Sequence, residues 1–469
     1  MPTASVFQVL LVILFILSCQ NSDKGSGASV SDEKPGQNVQ FSLDELQART
    51  FRFFMDCTDS SHYQILDRYP KLNFSSIAAT GFGLTSYIVG IERGYLSREQ
   101  GADRVLKTLK ALWQMPHGPG ESGVSGYKGF FYHFLTLDDA VRYKNVELST
   151  IDTGLLMAGV LSAQSYFDGD SPEEIEIRLL ADNLYKRVEW DWALNEHGKL
   201  SMGWHPEKGF IENDWHGYNE AMILLILAIG SPTHPIPPES WAKWCETYQW
   251  GTYMGYEYLH FDPLFGHQYS HMYIDFRGIR DPFMQEKGID YFENSRRATY
   301  ANRAWCLENQ NDCDGYSELS WGLTACDGPA MRGGKSKVDG RVFRGYSARG
   351  PHSIDGYDDC TIAPTAAGGS VPFAPEICIP TLEYLWETHF ENLVGEFGFR
   401  DAFNIDYTDG EGNENGWYAS DYLGIDQGPI LIQVENHRSG LIWNIMKKNP
   451  YIRAGLVKAG FKGGWLEES

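Results

Sequence analysis

The chain has 469 residues, of which 42% are hydrophobic and 14% are aromatic. Its formal net charge of −23 argues against binding to nucleic-acid phosphates or to an anionic lipid surface, because both depend on Lys and Arg. No linker rich in Pro, Ser or Gly interrupts the sequence after residue 40, so one large domain over 41–465 is predicted.

The N-terminal segment has the features of an export signal. The apolar run Val6–Leu17 is too short to span a bilayer but fits the hydrophobic part of a secretion signal. It runs into Ser18-Cys19, which resembles a bacterial lipoprotein cleavage box. We therefore expect a signal peptide over 1–18, lipidation at Cys19, a disordered tether over 19–40 and an outer-membrane or periplasmic location. A cleaved soluble signal and an uncleaved anchor are the alternatives.

Hydrophobic periodicity predicts a mostly helical chain. The predicted helices are 43–57, 75–92, 98–114, 148–167, 172–189, 217–229, 237–248, 283–309, 375–390 and 428–447. Some are apolar on nearly every face, whereas others, such as Pro172–Val188, are amphipathic. This alternation indicates two concentric layers, an all-α toroid. The long loops between the helices are expected to surround a cleft and to hold short strands, for example Lys199–Trp204.

Seven cysteines follow Cys19, and none forms a CxxC pair, so zinc-site spacing is absent. Cys306 and Cys313 are close enough in sequence to form a disulfide in an oxidising compartment. Buried free thiols are the alternative.

Two predicted helices carry an acid at their first turn, where a buried helix meets polar surroundings. These are Asp152, within Ser149–Gly154, and Glu220, at the end of Asp214–Glu220. Helix N-termini favour negative charge, and paired carboxylates are the groups that hydrolyse sugars. Glu220 is the preferred general acid, since partial burial raises a carboxyl pKa. A helix cap or an ion pair with Arg is the alternative.

Other acids are weaker candidates. Asp152 and Glu147 form a second acidic corner, in which Asp152 is a base, a contact to sugar hydroxyls or a helix cap. Asp401 follows Gly395–Arg400 and could activate water. Asp426 fits a helix cap before Pro429.

Three further motifs have a structural or a metal-site interpretation. Glu435 lies in an apolar helix and needs a partner, for which Arg438 has the right spacing. His267 and His271 have metal-ligand spacing, but the glutamate of a zinc protease is missing, so contacts to sugar hydroxyls are expected instead. The segment 406–416 resembles a calcium loop but lacks the required glycine, so a solvated acidic loop is preferred. No metal and no cofactor are predicted.

Several runs together resemble the glycoamylase-like domain family, and most closely glycoside hydrolase family 144. The runs are Glu147–Thr153, Trp215–Glu220, His267–His271, Ile274–Ile279, Ser347–Pro351, Pro364–Ser370, Asp426–Pro429 and Glu435–Asn436. The likeness covers roughly 45–460.

This resemblance implies an (α/α)6 toroid with a glycan-binding cleft and hydrolysis of β-1,2-glucan with inversion, either internally or by release of sophorose. It matches Glu220 to the acid and Asp401 to the base, which acts directly or through a relay. The predicted catalytic residues are Glu220, Asp401 and Asp152. The predicted substrate contacts are Glu147, Trp215, His216, Tyr218, His267, His271, Arg349, Asp426 and Glu435.

Three other functions fit parts of the pattern. A non-catalytic glycan-binding lipoprotein would keep the cleft and tolerate loss of Glu220. A retaining β-1,2-glucan transglycosylase would share the fold. A polysaccharide lyase is disfavoured because uronate substrates require Arg and Lys. The expected partner is an oligo- or polysaccharide, with the membrane reached only through the N-terminal lipid. The oligomeric state is left open.

Overall fold

The computed structural model describes residues 39–331, 334–338, 340–354, 356–408 and 416–467. All of these belong to one compact unit. The predicted signal peptide, Cys19 and most of the predicted acidic loop, residues 409–415, lie outside the described residues.

Helices dominate the described chain. They are α1 (Leu43–Asp56), α2 (Ile77–Glu92), α3 (Arg98–Gln114), α4 (Thr150–Tyr166), α5 (Pro172–Lys186), α6 (Met222–Gly230), α7 (Glu239–Cys245), α8 (Pro282–Lys287), α9 (Tyr291–Glu308), α10 (Pro364–Gly368), α11 (Pro375–Thr388), α12 (Phe390–Leu393), α13 (Gly424–Ser439), α14 (Leu441–Met446) and α15 (Pro450–Lys458). Short 3₁₀ turns lie at Leu264–His267 and Ser270–Met272.

The strands are short and antiparallel. They are β1 (Arg68–Tyr69), β2 (Ser75–Ser76), β3 (Gly126–Tyr127), β4 (Phe130–Tyr132), β5 (Phe134–Leu135), β6 (Leu148–Ser149), β7 (Gly203–His205), β8 (Gly209–Phe210), β9 (Trp250–Tyr253), β10 (Tyr256–Leu259), β11 (Ala325–Cys326), β12 (Lys335–Val338), β13 (Arg341–Arg344), β14 (Ser347–Ala348), β15 (Val394–Gly395), β16 (Gly398–Phe399), β17 (Phe403–Asn404), β18 (Trp417–Tyr418) and β19 (Tyr422–Leu423). The largest described sheet has the order β3-β4-β6-β7-β8, and the others are two-stranded.

The most apolar helices form an inner ring. α2 packs on α4, α4 on α6, α10 on α13 and α13 back on α2. Between α6 and α10, the 3₁₀ segment 264–272 completes the ring, since Ile223 N–H donates to Ser270 Oγ (2.9 Å) and Gln268 Nε2 donates to the Ala366 carbonyl (2.9 Å). α1, α3 and α5 are more polar and pack on the outside of this ring. The predicted all-α, (α/α)6 toroid is confirmed.

Glycine permits the closest approach within the ring. A Cβ at Gly159 of α4 would lie 2.0 Å from the Gly81 carbonyl oxygen of α2, and a Cβ at Gly81 would lie 2.6 Å from the Leu155 carbonyl oxygen. Such distances leave no room for a methyl group. The close contact between α2 and α4 is therefore possible only because Gly81 and Gly159 have no side chains.

Three inner helices begin directly from a short strand. β2 leads into α2, β6 into α4 and β19 into α13. Ser76 and Ser149 cap α2 and α4 by accepting a backbone N–H with their side-chain oxygens. The strands pair with neighbouring loops, as in Ser76 with Phe134 and Arg68 with Leu423. These pairings gather the loops at the end of the ring where the inner helices begin.

Most predicted helices overlap observed ones, but α10 and α15 have no predicted counterpart, and the helix predicted over 217–229 begins only at Met222, so Glu220 precedes it and does not lie in its first turn. The helix predicted over 283–309 is two helices, because Gly288 ends α8 with φ +75° and Asp290 caps α9. The one predicted over 428–447 begins at Gly424 and is divided at Gly440, with φ +68°. Asp426 consequently lies inside the first turn of α13 and is not its cap.

The disulfide prediction is wrong in its pairing. Cys313 is bonded to Cys360, 47 residues away, whereas Cys306 is a buried free thiol. Sequence proximity pointed to Cys306, but its position in α9 holds its side chain in the core. Within the described part of the chain, no helix has the length and apolar character needed to cross a membrane.

Candidate active site

A cavity of about 300 Å³ opens where the inner helices begin. Its lining residues are Asp67, Arg68, Ser76, His133, Phe134, Ile151, Asp152, Leu155, Glu220, Phe265, Tyr269, Ala325, Tyr346, Ala348, Leu423 and Ile425. The cavity thus combines carboxylates with aromatic rings, the combination that suits a sugar with hydroxyls at its edge and C–H groups on its faces.

Glu220 lies in the turn two residues before α6 and projects into the cavity. Its backbone carbonyl accepts a hydrogen bond from Ser270 Oγ (3.1 Å), which anchors the turn. Its Oε2 is enclosed and has no hydrogen-bond partner among the described residues. Burial raises the pKa of Glu220 to about 7, and the nearby Asp152 carboxylate contributes to the increase. Glu220 can therefore hold a proton near neutral pH.

Asp152 lies across the same cavity in the first turn of α4. Ser149 Oγ hydrogen-bonds to its Oδ2, and His133 Nε2 lies 3.6 Å from its Oδ1. His133 Nδ1 lies 2.7 Å from Glu147 Oε1. Burial opposes a positive charge on His133, but Asp152 and Glu147 outweigh it and raise the pKa of His133 to about 9. This side of the cavity therefore carries a positively charged His133 between the carboxyl groups of Asp152 and Glu147.

A second recess of about 380 Å³ adjoins the first, since Arg68 and Tyr346 line both. Arg68 Nη1 lies 2.8 Å from Asp327 Oδ2 and 3.1 Å from Asp421 Oδ2. Trp417 and Tyr418 also line this recess. The two recesses together form an opening that is longer than either recess alone, and the ion pairs of Arg68 lie at the centre of this opening.

Asp401 is buried behind the ion pair of Arg68 and Asp327. The Asp327 N–H donates to Asp401 Oδ2 (2.6 Å), and the Asp401 side chain lies within hydrogen-bonding reach of that of Asp426. Asp426 projects from the first turn of α13. Burial raises the pKa of both carboxyl groups, and their mutual repulsion raises that of Asp426 further.

Two buried tyrosines lie close to acids from distant parts of the chain. The Tyr269 hydroxyl is buried, and Asp426, Glu220 and Asp152 are all close enough to raise its pKa further. Tyr346 is affected in the same way by Asp426 and Asp401. Asp152 and Glu220 thus share a cavity, and Asp401 and Asp426 lie just behind it.

Three predicted substrate contacts lie in the core instead. Tyr218 stacks on Tyr291 with ring centroids 5.8 Å apart. His267 Nε2 bonds to the Phe261 carbonyl (3.0 Å), and His271 Nε2 to Ser295 Oγ (3.1 Å). Tyr218, His267 and His271 are at most 3% exposed, which argues against contact with a substrate. Their pattern matched a site because buried histidines and ligand-binding histidines have the same sequence signature.

Two predicted contacts are structural ion pairs. Arg349 is fully buried and lies 2.7 Å from Asp359, while its remaining N–H groups donate to backbone carbonyls. Glu435 pairs with Arg93 at 2.6 Å and not with Arg438. Neither side chain lines the cavity, which corrects both predictions.

The remaining contacts lie beside the site. Trp215 is buried, and its Nε1 donates to Thr150 Oγ1 (2.9 Å), which fastens the loop before Glu220 to α4. His216 is exposed and its Nδ1 lies 2.8 Å from the Asp214 carbonyl, away from the cavity. Trp215 and Glu147 support cavity residues, and His216 does not.

Sequence reasoning missed part of the lining. His133 and Tyr346 lie in loops without a chemical motif, and Arg68 lies on the two-residue strand β1. Tyr269 lies within the run His267–His271, in which only the histidines suggested a site. Asp67 precedes Arg68 on β1 and was also missed. No local signal marks these residues, because strand pairing such as Arg68 with Leu423 brings them to the cavity.

Comparison with known proteins shows the family to which this chain belongs. The sequence profile of the glycoamylase family, described as "Putative glucoamylase", matches residues 212–450. A solved structure from Bacteroides uniformis ATCC 8492 with the same description is 33% identical, with a TM-score of 0.79 over 92% of this chain and 100% of that one. The chain belongs to the glycoamylase family. The resemblance stated from the sequence is thereby confirmed.

Two further relatives have more specific descriptions. The endo-β-1,2-glucanase from Chitinophaga pinensis, solved with sophorotriose and glucose, is 29% identical, with a TM-score of 0.77 over 91% of this chain and 100% of that one. A protein from Parabacteroides distasonis, described as an exo β-1,2-glucooligosaccharide sophorohydrolase acting at the non-reducing end, is 30% identical over 89% of this chain. The chain spans 57% of the length of that relative.

Proposed function

We propose that this protein is a glycoside hydrolase that cleaves β-1,2-glucan with inversion. The observation that carries the proposal is Glu220, a carboxyl group with a pKa near 7 in a cavity lined by aromatic rings and a second carboxylate. The linkage and the stereochemistry come from the family resemblance, and the relatives named for β-1,2-glucan support the linkage.

Glu220 is the general acid. Its proton goes to the glycosidic oxygen as the bond from that oxygen to C1 breaks, which leaves the departing sugar with a new hydroxyl group. A water oxygen attacks C1 from the opposite face and loses a proton. Asp152 and His133 bind sugar hydroxyls, and the Asp152 charge helps Glu220 to keep its proton.

Asp401 is the base that receives the proton of the attacking water. Asp401 does not line the cavity directly, because Asp327 and Arg68 lie between Asp401 and the opening. The proton therefore reaches Asp401 through a relay, either a second water molecule or a sugar hydroxyl. The reacting C1 would then lie near the boundary of the two recesses, beside Arg68 and Tyr346.

A glucan panel tests the proposal. Wild type and Glu220→Gln are incubated with linear β-1,2-, β-1,3-, β-1,4- and α-1,4-glucans, and the products are sized. We expect short oligosaccharides from β-1,2-glucan alone, with a rate roughly 10²–10⁴-fold lower for Glu220→Gln. Glu173→Gln, in the exposed first turn of α5, is the matched control and should keep full activity.

Each rival function gives a different result. Binding of β-1,2-glucan without product from any glucan would indicate a binding protein. Products longer than the substrate would indicate a transglycosylase. Cleavage of another linkage would leave the hydrolase assignment and refute the linkage.

We also propose that the protein is exported and lipidated at Cys19. The N-terminal sequence is the basis, and the Cys313–Cys360 disulfide supports it, because such bonds persist in oxidising compartments. Cys19→Ala should move the protein from the membrane fraction to the soluble fraction and abolish labelling by a fatty-acid analogue. An unlabelled wild type would refute the lipid anchor.

A further inference from the structure

The pair formed by Asp401 and Asp426 has an uncommon arrangement. Both side chains are buried, with 2% and 3% exposure. Asp401 Oδ1 and Asp426 Oδ2 are enclosed, and neither receives a hydrogen bond from an N–H or O–H group of the described residues. The two side chains are nevertheless within hydrogen-bonding reach of each other.

Two ionised carboxylates cannot satisfy each other, because each only accepts hydrogen bonds. One proton between them removes the repulsion and supplies the missing donor, as in other carboxyl pairs that share a site. The geometry therefore requires a proton, and the remaining contacts decide which residue holds it.

The surroundings favour the negative charge on Asp401. Asp401 Oδ2 accepts the Asp327 N–H at 2.6 Å, and Arg68 lies close enough to lower its pKa. For Asp426, burial raises the pKa most, and the charged groups that affect it most among the described residues, Asp401, Asp327 and Asp67, all raise it further. The other titratable groups facing the pair are Tyr269, Tyr346 and Cys326, which burial keeps neutral.

We propose that Asp426 is a positioning residue: as a neutral carboxylic acid it donates its proton to Asp401 Oδ1 and so holds Asp401 as the carboxylate that serves as base. This inference rests on the proposed function, in which Asp401 accepts the proton of the attacking water. The pair then carries one proton before the reaction and two afterwards, and the second leaves to solvent.

The shared proton can be measured without substrate. Infrared spectra near pH 8 are compared between Glu220→Gln and Glu220→Gln/Asp426→Asn, since the first substitution removes the Glu220 acid signal. We expect the carbonyl band of a protonated carboxylic acid in the former and its loss in the latter. Identical spectra would overturn the proposal even if the enzyme hydrolyses glucan.

The pH dependence tests the positioning role. Asp426→Ala removes the hydrogen bond that stabilises the Asp401 carboxylate, so the acidic limb of kcat/KM should move to higher pH, and kcat should fall roughly tenfold or more. Asp426→Asn still donates an N–H and should fall between wild type and Asp426→Ala on both measures.

Gln427→Ala is the structural control. Gln427 is also buried in α13, and its Nε2 donates to the Phe399 carbonyl at 2.8 Å. Its loss should lower the melting temperature and leave the acidic limb in place. If Asp426→Ala also lowers only the melting temperature, Asp426 has a purely structural role and the proposal fails.

If the wild-type chain is inactive on every glucan, the proposed function is refuted. The infrared result would still decide whether Asp401 and Asp426 share a proton.

Discussion

The pKa of Glu220 reflects its surroundings more than its place near a helix N-terminus. A helix N-terminus alone would favour the ionised form, but burial dominates and raises the pKa. A buried carboxyl group with an enclosed, unpartnered oxygen costs stability when it ionises, and the protein keeps it at the site where acid catalysis needs a proton.

The pH–rate profile should show this directly. The acid form of Glu220 is present below pH 7 and is lost as pH rises through its pKa, so kcat/KM should fall about tenfold per pH unit above that point. Asp152→Asn removes a negative charge that raises the Glu220 pKa, so the alkaline limb should move to lower pH. A limb that stays in place or moves upward in Asp152→Asn would contradict the electrostatic account.

At the residue scale, the acids of the site could be predicted from the sequence more easily than the residues that contact the predicted site residues. Asp152 and Glu220 stand out because an acid beside a long apolar helix is conspicuous. Arg93 and Glu435 are 342 residues apart, so no local spacing could have paired them. His267 and His271 have the residue types of a binding site, and only burial distinguishes them from one.

The contact between α2 and α4 is the most sensitive element of the ring. Gly159→Ala would place a methyl group 2.0 Å from the Gly81 carbonyl oxygen, backbone that cannot move without displacing α2. We expect a loss of about 3 kcal/mol or more in the free energy of unfolding. Gly154→Ala is the control on the same helix, because its Cβ would meet Leu224 Cβ at 3.3 Å, and it should cost less than about 1 kcal/mol. Denaturant titration measures both, and equal losses would refute the steric argument.

At the element scale, periodicity located most helices to within a few residues, because a long apolar stripe identifies a buried helix. It missed the breaks at Gly288 and Gly440, where a single left-handed glycine outweighs a continuing pattern. It also missed α10, which is only five residues long and lies inside a loop rich in glycine.

The Cys313–Cys360 disulfide acts on the whole molecule because it closes the segment that supplies Asp327 and Tyr346 to the site. Reduction should lower the free energy of unfolding by roughly 2–4 kcal/mol. Thermal unfolding with and without a thiol reductant measures this effect, and Cys313→Ser/Cys360→Ser should melt lower and show no response to reductant. A response of equal size in the double variant would assign it to another cysteine.

At the scale of the whole molecule, the alternation of buried and amphipathic helices predicted two layers, but ring closure was beyond sequence reasoning. Closure depends on α13 packing against α2, more than 300 positions earlier in the chain, and on β19 pairing with β1. The same long-range contacts bring Asp401 and Asp426 behind the cavity that holds Glu220 and Asp152.

Proton NMR of sophorotriose or longer β-1,2-glucooligosaccharides during cleavage tests the central claim most directly. If Glu220 delivers the proton and water attacks the opposite face, the α-anomer of the new reducing end appears first and equilibrates to the β-anomer later. Glu220→Gln should release neither at a comparable rate. Early appearance of the β-anomer, or unchanged cleavage by Glu220→Gln, would contradict the assignment of acid and base made from this cavity.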